Sequence, residues 1–178
     1  MLQFLQDCVS APERCKVPVI AAVHGHCIGG AVDLISACDL RLCSKDASFC
    51  IKETDLGMVA DIGTLQRLPK LIADHRVREL TYTGRVFSGE EATSYGLTLQ
   101  ALDSKQDLDI HVAQLAKTIA EKSPLTIRGI KKTLLFSRDH AVEESLQQVK
   151  LWNAAYFLSD DLNEAFRAAM SKEKPSFK

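Results

Sequence analysis

The first strongly patterned stretch of the chain is Val17 to Val23, VPVIAAV, a continuous apolar run with β-branched residues. Such a run predicts a strand buried on both faces, as in parallel or mixed sheets. His24-Gly25-His26 breaks it. From about Gly30 the pattern turns helical, with Val32, Ile35 and Ser36 at three-to-four spacing and the signal fading near Cys38. Leu40 to Cys43 and Ser48 to Ile51 read as two further short strands, and Thr98 to Leu102 as another candidate. Strand, helix, strand, strand fits an α/β layered domain.

Beyond Asp61 the pattern is largely helical. A helix is predicted over Ile62 to Leu68, ending at Pro69, and another over Asp74 to Thr83, stopped by Gly84. Ser88 followed by Glu91 is a capping box, in which the Ser side chain accepts from the N–H three residues on and the Glu reaches back. Gly96 closes that helix. Leu108 to Lys122 carries Val112, Leu115, Ala116 and Ile119 on one face. Ser123-Pro124 supplies an N-cap with proline at the first helical position, opening a helix to about Phe136. Val142 to Met170 reads as helical with an interruption near Ser159-Asp160-Asp161. The expected division is 1–103 for the sheet-bearing part and 104–178 for a helical C-terminal region.

Composition narrows the partners. The 178 residues carry 22 Lys and Arg against 23 Asp and Glu, a net charge of −1, with no block of one sign. Nucleic acid and an anionic membrane are therefore not the expected partners. No apolar run approaches the roughly 20 residues of a membrane span, so no stable membrane insertion is expected. Met1 to Leu5 is apolar but lacks the preceding basic region of a signal peptide. Six cysteines crowd the first fifty residues without a C-x-x-C pair, which reads as free thiols in a reducing compartment. His24 and His26 lack a third ligand at helix spacing, so no metal site is expected.

The chemistry concentrates in Gly29-Gly30-Ala31-Val32-Asp33, Glu53 and Asp61. Paired glycines let a backbone approach a ligand closely, and an N–H at the start of a helix, at Gly30, is placed to stabilise a developing oxyanion. A tight strand-to-helix turn with no ligand would use the same glycines. Asp33 and Asp61 are acids among apolar neighbours, a costly placement without a partner. Asp61 could equally be a plain N-cap for the helix after it.

Val19-Ile-Ala-Ala-Val-His-Gly-His-Cys-Ile-Gly-Gly-Ala-Val-Asp-Leu34, followed by Ala37-Cys-Asp-Leu-Arg41, resembles the central signature of the crotonase (enoyl-CoA hydratase/isomerase) superfamily. Within it, the Δ3,5-Δ2,4-dienoyl-CoA isomerase branch is resembled by Lys52 to Gly57, Ala60 to Pro69, Ser137 to His140, Glu144 to Leu146 and Trp152-Asn153. The resemblance implies an α/β, crotonase-type (ClpP/crotonase-like) β-β-α spiral core with helical C-terminal trimerisation elements. It implies a homotrimer or homohexamer in a mitochondrion or peroxisome. The implied reaction is isomerisation of a 3,5-dienoyl-CoA in unsaturated fatty-acid β-oxidation. The alternatives are a 2-enoyl-CoA hydratase and an impaired subunit that only associates with full-length partners. The substrate is an acyl-CoA thioester and no separate cofactor is implied, since CoA belongs to the substrate. Gly30 matches the oxyanion-hole glycine, and Glu53, Asp61 and Asp33 match catalytic acids of the branch. Ala31 departs from the usual third glycine. Family members also carry early strands and an Ala-Gly-x-Asp loop that gives the second oxyanion N–H and contacts the CoA adenine. No such loop stands here, so the resemblance implies an N-terminally truncated chain.

Overall fold

The computed structural model describes residues 1–177. They form two compact units, 1–114 and 115–178, whose boundary falls within one helix. In the first unit, helices α1 (Leu2–Val9) and α2 (Ala11–Arg14) precede β1 (Ile20–Val23), β2 (His26–Ile28) and α3 (Gly30–Ser36). Strands β3 (Leu40–Ser44) and β4 (Ser48–Cys50) come next, then a 3-10 turn at Glu53–Leu56. After it stand α4 (Thr64–Arg67), α5 (Asp74–Thr83), β5 (Phe87–Ser88), α6 (Gly89–Ser94) and β6 (Ala101–Leu102). Helix α7 (Lys105–Ala120) spans the boundary, and α8 (Pro124–Arg138), α9 (Val142–Tyr156) and α10 (Asp160–Ser171) belong to the second unit.

The strands make two small sheets, ordered β1-β3-β6 and β2-β4-β5. Strand β1 pairs parallel with β3, Ile20 opposite Leu40, and β2 pairs parallel with β4, Cys27 opposite Phe49. Strands β1 and β3 of the first sheet thus each continue, after a short break, into a strand of the second. Gly25, at φ +65, makes the first of these breaks. Successive β-β passes stack in register, which is how a spiral places equivalent strand ends side by side. Val32, Ile35, Phe49, Ile51, Leu68, Leu80 and Phe87 fill the core beneath them, with the Phe49 and Phe87 rings stacked at 5.3 Å. Arg41 is buried there, donating to the carbonyls of Ile35, Cys38 and Leu97. It closes the carbonyl end of α3, and burial holds its pKa below the ordinary value.

Several elements differ from the sequence expectation. The strand expected from Val17 begins only at Ile20. Pro18 has no N–H to give a ladder, and the Val19 N–H goes to the Asp39 carboxylate at 2.7 Å. The helix expected from Ile62 begins at Thr64 because Gly63 sits at φ +145, outside helical space; it tightens into a 3-10 turn, Leu68–Lys70, that takes in Pro69. Strand β2 has no counterpart in the sequence pattern. The Asp74–Thr83 helix with its Gly84 stop and the Ser88–Glu91 capping box are as expected.

In the second unit, Ser123 caps α8 by accepting from the Thr126 N–H and donates its own proton to Asp161. Helices α8 and α9 meet at Gly129, where a Cβ would lie 2.5 Å from the Trp152 indole nitrogen. Only a residue without a side chain lets the indole settle on the α8 backbone. Tyr156 packs against Trp152, ring centroids 4.6 Å apart.

Candidate active site

Parallel pairing of β2 with β4 sets Ile28 opposite Cys50, so the residues just past the two strand ends must be neighbours. Gly29-Gly30 lies past one end and Glu53 past the other. The Gly29 N–H donates to the Cys50 carbonyl at 2.9 Å, tying the two strand ends together. Gly29 adopts φ +55, ψ −121, a conformation that side chains exclude. A Cβ there would also lie 3.1 Å from Glu53 Oε1. The Glu53 carboxylate therefore lies against the glycine turn, and its Oε2 is buried with no hydrogen-bond partner among the described residues. The 3-10 turn that carries Glu53 is fixed by Thr54, whose hydroxyl donates to the Thr81 carbonyl at 2.6 Å, and by Gly57 in the left-handed conformation.

Gly30 is the first residue of α3, so its N–H has no intrahelical acceptor. A Cβ on Gly30 would lie 3.8 Å from Ile62 Cδ1, which brings the segment bearing Asp61 to the same turn. Asp61 itself is exposed. Its carbonyl accepts from Gln6 Nε2 at 2.8 Å, while its carboxylate has no hydrogen bond or ion pair among the described residues. It does not cap α4. That role falls to Asp33, which is wholly buried and accepts from the Thr64 N–H through Oδ1 at 2.6 Å. Asp33 Oδ2 and Thr64 Oγ1 are buried beside this contact without partners among the described residues. The structure thus gathers Gly30, Glu53 and the Asp61 segment at the ends of β2 and β4, and uses Asp33 to hold the segment's far end.

One arrangement has no counterpart in the sequence reading. Arg67 donates through Nε and Nη2 to both oxygens of Glu13, each at 3.1 Å, and through Nη2 to Ser10 Oγ at 2.8 Å. Its Nη1 crosses the face of Gly63, where a Cβ would come within 1.8 Å. The partners stand 54 and 57 residues apart, beyond any local pattern; the only cue is the glycine before Thr64.

The thiols stand apart from this chemistry. Burial pushes the Cys27 thiol up to about 12, and Cys43 and Cys50 are also raised chiefly by burial. Such thiols stay protonated and poorly nucleophilic at neutral pH. The His26 ring meets Ser48 Oγ at 2.7 Å, and among the described residues no group of three or more His, Cys, Asp or Glu is arranged to hold a metal ion.

Comparison with known proteins gives the family and the fold. Residues 3–178 match the family described as Enoyl-CoA hydratase/isomerase. A peroxisomal Delta(3,5)-Delta(2,4)-dienoyl-CoA isomerase of Arabidopsis thaliana is 52% identical over 176 residues, 99% of this chain and 63% of that protein. A mitochondrial enzyme of the same name from Rattus norvegicus is 47% identical over 162 residues, 90% of this chain and 50% of that protein. This chain thus spans roughly half to two thirds of the length of these relatives. An enoyl-CoA hydratase crystal structure from Bacillus anthracis superposes with a TM-score of 0.95 at 31% identity, covering 99% of this chain and 68% of that one.

Proposed function

The chain belongs to the enoyl-CoA hydratase/isomerase family, and on that premise we propose that it isomerises a 3,5-dienoyl-CoA to a 2,4-dienoyl-CoA. The observation that carries the reading is Glu53, a carboxylate against the glycine turn with one oxygen buried and unpartnered among the described residues, in a chain that matches dienoyl-CoA isomerases over nearly its whole length. The thioester carbonyl acidifies C2. With its oxygen on the Gly30 N–H, the dienolate that forms when the C2 proton leaves is stabilised. Return of a proton at C6 shifts both double bonds, so one proton is taken and one given. The reaction needs two carboxyl groups at separated points of the acyl chain, and we assign these to Glu53 and Asp61. Asp33 orients the Asp61 segment through Thr64. The proton shuttle calls for no cofactor beyond the CoA of the substrate. By the same resemblance the protein works in a peroxisome or mitochondrion. It assembles as a trimer or hexamer through its C-terminal helices.

The test is spectroscopic. The purified chain, given a 3,5-dienoyl-CoA, should generate the ultraviolet absorbance of the conjugated 2,4-dienoyl thioester. Asp61→Asn and Glu53→Gln keep shape but remove proton transfer, and each should lower the rate by about 10²–10⁴-fold. The likeness to the Bacillus anthracis hydratase keeps a second reading, hydration of a 2-enoyl-CoA. Loss of 2-enoyl absorbance with no action on the 3,5-diene would select that reading instead.

A further inference from the structure

We propose that Glu13 and Arg67 are positioning residues for Asp61: the N-terminal helices clamp the acid-bearing segment 61–67, and the clamp sets where the Asp61 carboxylate stands. The inference rests on the reading of Asp61 as a proton-transfer group, but the clamp itself does not depend on that reading. Asp61 is exposed, and so are residues 55–59 before it. Nothing bonds to its carboxylate among the described residues. Its position is therefore decided by its backbone, which is gripped at three points. Gln6 of α1 donates to the Asp61 carbonyl at 2.8 Å. Asp33 of α3 accepts from the Thr64 N–H at 2.6 Å. Arg67 lies over Gly63 and is itself locked by both oxygens of Glu13 and by Ser10.

The third grip holds the other two in register. Its two side chains are 12% and 16% exposed, so the pair is largely out of water, and the planar fork of Arg matches the carboxylate in two hydrogen bonds. A lysine could keep the charge but not the fork. With Gly63 at φ +145, the bend that turns Asp61 away from α4 has no side chain of its own to stabilise it. The guanidinium supplies the missing packing. A misplacement of about 1 Å at a reacting group can cost on the order of 10²-fold in rate, so a clamp remote from the chemistry can still govern it.

The test uses the 178-residue chain with Glu13→Gln, Arg67→Lys and, as a milder variant, Gln6→Ala. Two readouts are taken. The first is amide hydrogen exchange at Thr64, Gln66 and Arg67, whose N–H groups are bonded to Asp33 or Gly63, against Cys43 and Lys45, bonded to Gln100 and Leu102. The second is kcat and KM for the 3,5-dienoyl thioester. Glu13→Gln and Arg67→Lys should speed exchange at 64–67 by about tenfold or more while leaving Cys43 and Lys45 unchanged. They should lower kcat by about 10- to 100-fold with KM within about threefold. Gln6→Ala should act in the same direction by about threefold and decides the matter if either Glu13→Gln or Arg67→Lys fails to fold. Unchanged exchange at 64–67 would overturn the proposal, as would faster exchange with kcat intact, or equal acceleration at Cys43, which marks general destabilisation. If the unmodified chain does not turn over the thioester, the function proposed above falls, and the exchange readout still decides the clamp.

Discussion

A glycine can be required for what it lets a neighbour do. Gly25 and Gly63 both have positive φ, +65 and +145, yet a Cβ at Gly25 meets nothing within 4 Å while one at Gly63 strikes Arg67. Gly25→Ala should therefore cost only the left-handed backbone penalty, about 1 kcal/mol. Gly63→Ala should cost more, about 1–3 kcal/mol from overpacking alone, with a further loss as the guanidinium leaves Glu13. Urea unfolding of both variants checks the order, and equal midpoints would contradict it. At this scale the sequence was partly legible. Gly30, Glu53 and Asp61 stand in a recognisable motif, and an acid at position 33 within an apolar helix signals a buried partner. That the partner is the Thr64 N–H, 31 residues away, is decided by how α3 and α4 pack, and no local pattern encodes it.

Elements with chemical punctuation were readable, and those without it were not. Ser123-Pro124 opens α8 and Ser88 with Glu91 opens α6 because each cap satisfies backbone N–H groups locally. Strand β2 has three residues with only Cys27 buried, too short for a period to register; its partner β4 creates it. Helix α1 buries none of its residues, so no core-facing stripe announced it. Between elements, Arg85 joins Glu79 of α5 to Glu91 of α6. The Arg85 hydrogen bond holds the Glu79 carboxyl below the usual range, and the Ser88 N–H does the same for Glu91, helped by Tyr95 and Arg85. A carboxyl with a lowered folded pKa adds stability above its unfolded value, and that stability is lost as pH falls through the folded value. Glu79→Gln should thus lower Tm at pH 7. The gap should narrow as pH drops below the ordinary Glu value of 4.5 and vanish once wild-type Glu79 is protonated too. Melting curves across pH 3–7, roughly the span over which carboxyls titrate, check this; a gap constant with pH would refute it.

Over the whole molecule, charge is nearly balanced at −1, so apolar surface is left to govern association. In the second unit Leu134, Leu146, Leu151, Phe157, Phe166 and Met170 are each at least 60% exposed. Exposed apolar side chains are the material of contact surfaces, and we propose subunit contacts for these. Sedimentation should find species larger than one chain, and Leu151→Glu with Phe166→Glu should shift them toward the single chain without altering the far-ultraviolet signal. A wild-type chain that sediments as a monomer would contradict this. The α/β class was legible from the strand and helix pattern, and the candidate site's place from the motif, which sits where two parallel strands end. The grip of the N-terminal helices on residues 61–67 was not, because it is made by side chains more than fifty positions away.

Trp152, seated on the bare backbone of Gly129, is the sole tryptophan of the chain. Indole emission is consequently a private signal of residues 115–178. Lys132 lies 5.3 Å from the ring centroid and Tyr156 beside it, so the emission will respond when α8 and α9 separate. A fluorescence melt of this protein is first of all a thermometer for the α8–α9 pair.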